Sequence, residues 1–285
     1  MASTDTVGTK TKPILQVKAG QQTEQSDLVA CEEPLEIKLA FGPADNRQHR
    51  SLAITMRTPG QDEELAIGFL FTEGIIGRAE EVIGVRHVGQ ALSPESAENI
   101  LLIELAPELP LDFDKLNRHF YTSSSCGVCG KASIEMLRAV NMYYPRKGYP
   151  VFTAGQIRSF PTQLSAQQSL FDQTGGIHAS ASFGPDGQLL HLREDVGRHN
   201  AMDKLIGQAL QSGNFPLREQ AVMVSGRLSF ELVQKASMAG LPMLLAVGAP
   251  STLAVELAEE NGMTLVGFLR GARFNVYCGA ERIKF

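Results

Sequence analysis

The sequence predicts an α/β protein, with a mixed sheet in its C-terminal part and a smaller strand-rich part before it. Three observations predict this. Between residues 220 and 277 apolar strands and amphipathic helices alternate as strand, helix, strand, helix, strand, the pattern of βαβ units on a partly parallel sheet. Between residues 35 and 105 most apolar positions fall in strand-length pieces around a single helical stretch. The chain has 285 residues, of which 43% are hydrophobic and 20% charged. That is enough for one large core, or a core with a satellite.

The elements follow in order. Residues 1–27 are polar, rich in Thr, Gln, Lys and Ser, and are expected to form a flexible polar arm. Residues 28–120 are expected to form the smaller strand-rich subdomain. Its strands are "LEIKLAFG", "HRSLAITMRTP", "EEVIGVRHV" and "NILLIEL", with "ALSPESAE" as a loop. "DEELAIGFLFTEGII" reads as a helix, with an acidic first turn, an apolar side at Leu65, Ala66, Phe69 and Leu70, and Gly74 near its end. Residues 121–285 form the expected α/β domain. There "YTSSSCGVCGKASIEMLRAV" reads as a loop entering a helix, with Ser123, Ser124 and Ser125 as candidate caps. "GGIHASASFGPDGQLLHLRED" reads as a hairpin around Gly184-Pro185-Asp186-Gly187. "GRHNAMDKLIGQAL" has helical periodicity.

Composition removes some functions. A net charge of -5 argues against a general nucleic-acid binder, which is usually basic. No apolar run reaches the roughly 18–20 residues that span a membrane, and the N-terminal "MASTDTVGTKTKP" lacks the apolar core of a secretory signal. The cytoplasm is therefore the expected compartment, where thiols stay reduced. Four cysteines are too few for a disulfide scaffold in a chain this long.

Two of those cysteines, Cys126 and Cys129, form a Cys-x-x-Cys pair. A zinc site, a dithiol switch, a sulfur carrier and a plain structural turn all have that spacing. A zinc knuckle needs two further ligands, usually a second close pair, and the sequence has none. His178 could be one ligand, which invites comparison with zinc deaminases. However, Ser180 stands where the proton-shuttling Glu belongs, Ser125 replaces the Pro, and the His follows the cysteines. A nucleophile fits better. A thiol at a helix start faces free backbone N–H groups, which favour thiolate, and Lys131 adds positive charge. Cys126 is then the nucleophile, and Cys129, one turn on, resolves or shares the sulfur.

A second constellation, "REDVGRHNAMDK", packs Arg193, Glu194, Asp195, Arg198, His199, Asn200, Asp203 and Lys204 into one short segment. A solvated helix start laced with ion pairs is the plain reading. Gly197 followed by Arg-His-Asn also suits recognition of an anion or an amide edge. "MVSGRLSFELVQKA" passes from strand through Ser225-Gly226-Arg227 into a helix, which presents N–H groups to an anion without matching a full phosphate-loop pattern. "GFLRGARFNVY" sets Arg270 and Arg273 beside glycines. Strand ends bearing Gly, Ser and Arg point to a large phosphorylated ligand.

Together "SSSCGVCGK", "TGGIHASA", "REDVGRHNAMDKLIG", "SGRLSFELVQKA" and "GLPMLLAVGAPSTLAVELAEENGMTLVGFLRGARFNVYCG" resemble the FdhD family, from about residue 30 to the C-terminus. These are sulfur carriers required for formate dehydrogenase activity. The resemblance implies a fold related to cytidine deaminases and a homodimer. It implies a sulfurtransferase that takes sulfur from a cysteine desulfurase as a Cys126 persulfide. The sulfur then passes to the molybdenum or tungsten of bis-molybdopterin guanine dinucleotide, with no resident metal in the carrier. By position, Phe268, Leu269, Arg270, Gly271, Ala272 and Arg273 match the stretch that binds the guanine nucleotide part. Residue type adds Ser225, Arg227, Asp195, His199, Asn200 and His178 to the expected cofactor site. His199 is a candidate proton donor. The rival readings are a cofactor chaperone with structural cysteines and a deaminase-like zinc hydrolase.

Overall fold

The computed structural model describes residues 6–89, 99–111 and 143–285. The Cys126–Cys129 pair, its serines and the "ALSPESAE" loop lie outside the described residues.

Within residues 1–27, expected to form a flexible arm, the chain from residue 9 instead pairs, through residue 30, as an antiparallel hairpin of β1 (Thr9–Lys18) and β2 (Gln21–Ala30). Ala19 (φ 52°) and Gly20 (φ 83°) take the left-handed conformation at its turn, the twist that suits a two-residue connection. Polar, mostly exposed strands carry little hydrophobic signal, which is why composition alone pointed to an arm. The hairpin is tied down at its base by Cys31 N–H to Gly8 O (2.8 Å) and by a Lys10–Glu33 ion pair (3.1 Å).

The strand-rich part holds β3 (Glu33–Phe41), β4 (Gln48–Arg57), α1 (Asp62–Thr72), β5 (Val82–His87) and β6 (Ile100–Leu105). Its sheet order is β4-β3-β6-β5. In β3, Leu35, Ile37 and Leu39 are buried at every second position, the period-2 pattern of a sheet with one covered face.

Next come β7 (Phe152–Thr153), α2 (Ala154–Ser165), α3 (Ser169–Thr174), β8 (His178–Phe183), β9 (Leu189–Asp195), α4 (Arg198–Gln211) and β10 (Ala221–Val224). They are followed by α5 (Phe230–Met238), β11 (Met243–Ala246), α6 (Thr252–Glu260), β12 (Thr264–Arg270), β13 (Arg273–Cys278) and β14 (Ile283–Lys284). The large sheet runs β13-β12-β11-β10-β8-β9. β10, β11 and β12 are parallel, and the outer strands are antiparallel. The sheet is therefore mixed, as expected. β10 ("AVMV") and β11 ("MLLA") are wholly buried because helices cover both faces of the sheet. α4, α5 and α6 pack on one face, and α2 on the other, where Phe160 stacks on Phe183 (3.9 Å between centroids). A capping box between Thr153 and Gln156 starts α2.

One buried cluster joins side chains of β3, β6 and α1 to those of α4, α5 and β10, so the two parts share a core across the expected boundary near residue 120. The seam is the crossing of α1 and α4. A Cβ on Gly68 would lie 1.9 Å from Asp203 O, and one on Gly207 would lie 1.9 Å from Glu64 O. Only glycine at both positions lets the backbones touch. Among the described residues, no helix is long and apolar enough to cross a membrane.

Candidate functional site

The parallel strands β10, β11 and β12 end on one edge, the place where open α/β sheets bind ligands. Val224 leads into Ser225-Gly226-Arg227, and Ala246 into Val247-Gly248-Ala249-Pro250-Ser251. These two loops are laced together. Gly248 N–H donates to Gly226 O (2.9 Å), Leu228 N–H to Ala249 O (3.1 Å) and Ser251 N–H to Leu228 O (3.0 Å). A Cβ on Gly248 would meet Gly226 O at 2.8 Å, so glycine is needed for this approach.

The "FLRGAR" stretch is the tip of the β12–β13 hairpin. Phe268 is left-handed (φ 53°) at a bulge between Gly267 and Arg270, and its N–H reaches Gly248 O (3.0 Å). That conformation is costly for an aromatic residue. Leu269 points the other way and is buried in the core that α2 covers. Arg270 is exposed and donates Nε–H to Val247 O (3.1 Å), docking the tip against the β11 loop. Gly271 (φ 55°) and Ala272 make the turn, and Arg273 is exposed opposite Arg270. Arg227 is exposed beside the Gly248 loop.

His178 opens β8 next to this edge. Ser225 Oγ accepts Ala179 N–H (2.9 Å) and lies 3.5 Å from His178 Nδ1. Its hydroxyl proton can donate to Nδ1, leaving the ring proton on Nε2. Burial first, then the Arg198 charge, pushes the His178 pKa down, while Asp195 pulls it up. His199 Nε2 lies 3.4 Å from Ser229 Oγ at the start of α5. Burial, then Arg198 and Lys235, push its pKa down to about 4, against an opposing pull from Glu231. His199 is thus a neutral imidazole near pH 7. Without ligand the ring can donate only its single neutral N–H.

Asp195 and Asn200 have their polar atoms committed inside the fold. Asp195, fully buried, pairs with Lys204 (2.8 Å) and accepts from Thr58 N–H (3.1 Å), Gly197 N–H (2.8 Å) and Asn200 Nδ2 (3.0 Å). Asn200 also donates to Met56 O (2.8 Å) and accepts from Thr55 Oγ1 (3.2 Å). Both clip the end of β4 to the start of α4, placing them behind the site.

A cavity of about 490 Å³ lies beside the edge, between α2–α3 and the strand ends; His178, Ser225, Val247, Met223, Gln168 and Phe171 are among its lining residues. The structure therefore brings His178, Ser225, Arg227, Arg270 and the turn at Gly271 to one edge. The sequence offers Arg198 only as one member of an anion-recognising Arg-His-Asn run, and it gives no sign of the wall made by α3. Arg198 stood in plain view among other charges, and only the pairing of its neighbours sets it apart. A metal-binding group of three His, Cys, Asp or Glu does not occur among the described residues. What the edge can do chemically is hold an anionic ligand with guanidinium groups and backbone N–H groups.

A model of the FdhD/NarQ family matches residues 30–284. A sulfur carrier protein FdhD from Streptomyces avermitilis is 47% identical over 277 residues, covering 96% of this chain and 95% of the relative. Its counterpart in Mycolicibacterium paratuberculosis is 48% identical over 276 residues, covering 96% and 98%. The one in Saccharolobus solfataricus is 39% identical over 270 residues, covering 95% and 96%. A crystal structure of a protein assigned as a formate dehydrogenase accessory protein from Desulfotalea psychrophila superposes with a TM-score of 0.72 at 27% identity. It covers 97% of this chain and 99% of that one.

Proposed function

The chain belongs to the FdhD/NarQ family, and from that premise we propose that it is a sulfur carrier with Cys126 as its carrier thiol. It takes sulfur from a cysteine desulfurase and delivers it to bis-molybdopterin guanine dinucleotide bound for formate dehydrogenase, acting in the cytoplasm as a homodimer. The observation that carries the reading is near-full-length identity to proteins named sulfur carriers.

The described cysteines support Cys126 by their unsuitability. Cys31 is buried. Cys278 is half-buried with its Sγ 3.4 Å from Met263 O, and burial is the main cause that pushes its thiol up to about 11. Cys278 therefore offers no thiolate near pH 7, the form that attacks sulfur, and Cys31 is shut away from a partner protein by burial. Cys126 and Cys129 are what remains of the four cysteines.

In the first step the Cys126 thiolate attacks the outer sulfur of the desulfurase persulfide. The S–S bond breaks, the desulfurase cysteine leaves as thiolate, and Cys126 holds the persulfide. In the second, the Cys129 thiolate attacks the inner sulfur of Cys126. A Cys126–Cys129 disulfide forms, and the outer sulfur leaves with both bonding electrons as hydrosulfide for the metal of the client cofactor. A thiol reductant of the cytoplasm then restores the pair. The strand-end arginines hold the anionic parts of the client. Cofactor and metal are cargo here.

The test is intact mass after incubation with a cysteine desulfurase and cysteine. Wild type should gain about 32 Da of cyanide-labile sulfur, and Cys126→Ala should gain none. No gain in wild type with an active desulfurase would overturn the carrier reading in favour of a cofactor chaperone.

A further inference from the structure

The described arginines with inward guanidiniums are bonded. Arg57 meets Asp62 Oδ1 and Oδ2 at 3.0 and 2.9 Å, Arg193 forks onto Glu64, and Arg282 donates to Tyr149 O, Arg146 O and Thr264 Oγ1. Arg198 differs. It is half-buried at the start of α4, yet no hydrogen bond or ion pair engages its guanidinium among the described residues. A half-buried guanidinium that no hydrogen bond or close ion pair holds forgoes hydration with little return, so an anion bound directly to it is favoured.

Its surroundings are specific. A Cβ on Gly226 would meet His178 Nδ1 at 3.6 Å and Arg198 Cδ at 3.8 Å, so Arg198 and His178 converge on the bare backbone of the β10 loop. His199 follows Arg198 in α4, with its ring toward Ser229. The charged groups acting on this spot are Lys235 and Glu231 from α5, Asp195 from β9 and Arg198 itself. Asp195 is spent on Lys204 (2.8 Å) and Lys235 on Asp203 (2.9 Å). Glu231 is held ionised although burial opposes it, chiefly by Ser229 and its own backbone N–H, with help from His199 and Arg198. The Arg198 charge, felt at a distance by Glu231 but held by no described hydrogen bond or ion pair, lies beside the cavity that His178 and Ser225 line.

We propose that Arg198 is the residue that grips a compact oxyanion of the ligand, held against the Gly226 loop between His178 and His199. This rests on the proposed function for the ligand's identity, since a phosphate and the oxo-metal centre of the client are both oxyanions that a planar guanidinium can fork. It goes beyond that reading in assigning the contact to a residue outside the "FLRGAR" turn. It also gives the paired histidines a role. Burial first, and the Arg198 charge second, disfavour protonation of both rings. An incoming dianion offsets that charge, so the rings become easier to protonate and the protein takes up protons as the ligand binds.

The experiment uses the full chain with two probes, inorganic phosphate and molybdate, read by calorimetry and by the histidine ring resonances. At least one probe should bind wild type and shift the His178 and His199 signals. It should weaken tenfold or more in Arg198→Gln, with Arg198→Lys between the two because it keeps charge but loses the fork. Phosphate alone would assign the spot to the nucleotide end of the ligand, and molybdate alone to the metal end. Two buffers of different ionisation enthalpy should report proton uptake in wild type that is absent in Arg198→Gln. Unchanged affinity in an Arg198→Gln protein that melts like wild type would overturn the proposal, as would failure of both probes to bind wild type. Persulfide loading, measured on wild type alone, reads the carrier function separately, so each reading can fail without the other.

Discussion

Asp195 accepts from Lys204, Thr58, Gly197 and Asn200, while three residues later no hydrogen bond or ion pair from the described residues holds the Arg198 guanidinium. Both are charged, both lie within "REDVGRHNAMDK", and they bracket the same turn from β9 into α4. The first group faces inward, where Lys204 also reaches Thr58 O (3.0 Å) and Glu194 O (3.3 Å) and ties the strand-rich part to the large sheet. The second faces the strand-end edge. The contrast teaches that saturation of polar atoms, rather than residue type, separates groups that build this fold from groups left to act on a ligand.

The comparison can be broken most sharply at Lys204. Lys204→Met should strand the Asp195 carboxylate without its cation and cost about 3–5 kcal/mol, read as a lowered urea midpoint. The double variant Lys204→Met/Asp195→Asn should recover part of that loss. A single-variant loss below about 1 kcal/mol would place Asp195 among ordinary surface charges. Gly207→Ala comes next. Its methyl would sit 1.9 Å from Glu64 O, so α1 and α4 must separate, at about 1–3 kcal/mol by the usual cost of overpacking. A melt unchanged from wild type would show that the seam yields freely.

The open group is read through pH and chemical labelling. His199 titrates near 4 when folded, against an ordinary 6.5. The unfolded chain therefore binds the extra proton first as pH falls. Stability should be lost from about pH 6.5 down to about 4, by up to roughly 1.4 kcal/mol per pH unit. His199→Gln should flatten that part of the profile, and an unchanged slope would refute the neutral imidazole. Alkylation by iodoacetamide near pH 8 should modify Cys126 or Cys129 while Cys31 and Cys278 wait for denaturant, as peptide mapping would show. Smallest of all, Arg227→Gln should leave the melting temperature unmoved, because the side chain is exposed and engages no described partner.

Much of this was legible in the sequence because it is periodic. "AVMV" and "MLLA" announce buried parallel strands, and Gly184–Gly187 announces the turn between β8 and β9. The edge bearing Ser225 and Arg270 was legible too, since strand, small residue and helix recur there. The β1–β2 hairpin was hidden because its pairing rests on backbone bonds and a left-handed Ala19-Gly20 turn, with few apolar side chains to mark it. Leu269, inside the expected ligand stretch, proved to be core because a bulge turns its neighbour Phe268 outward from the strand's regular alternation. The roles of Asp195 and Arg198 could not be told apart, since their partners Thr58 and Gly226 lie far off along the chain.

The touching backbones of Gly68 and Gly207 carry a mechanical meaning. Helices that meet through bulky side chains can slide by small repacking steps, which is how many proteins shear open. Here a carbonyl of each helix abuts an α-carbon of the other, and any sliding along that line drives peptide into peptide. The joint acts as a rivet rather than a hinge. The strand-rich part and the large sheet travel as one piece, so the strand-end edge presents itself to a visiting cofactor already assembled.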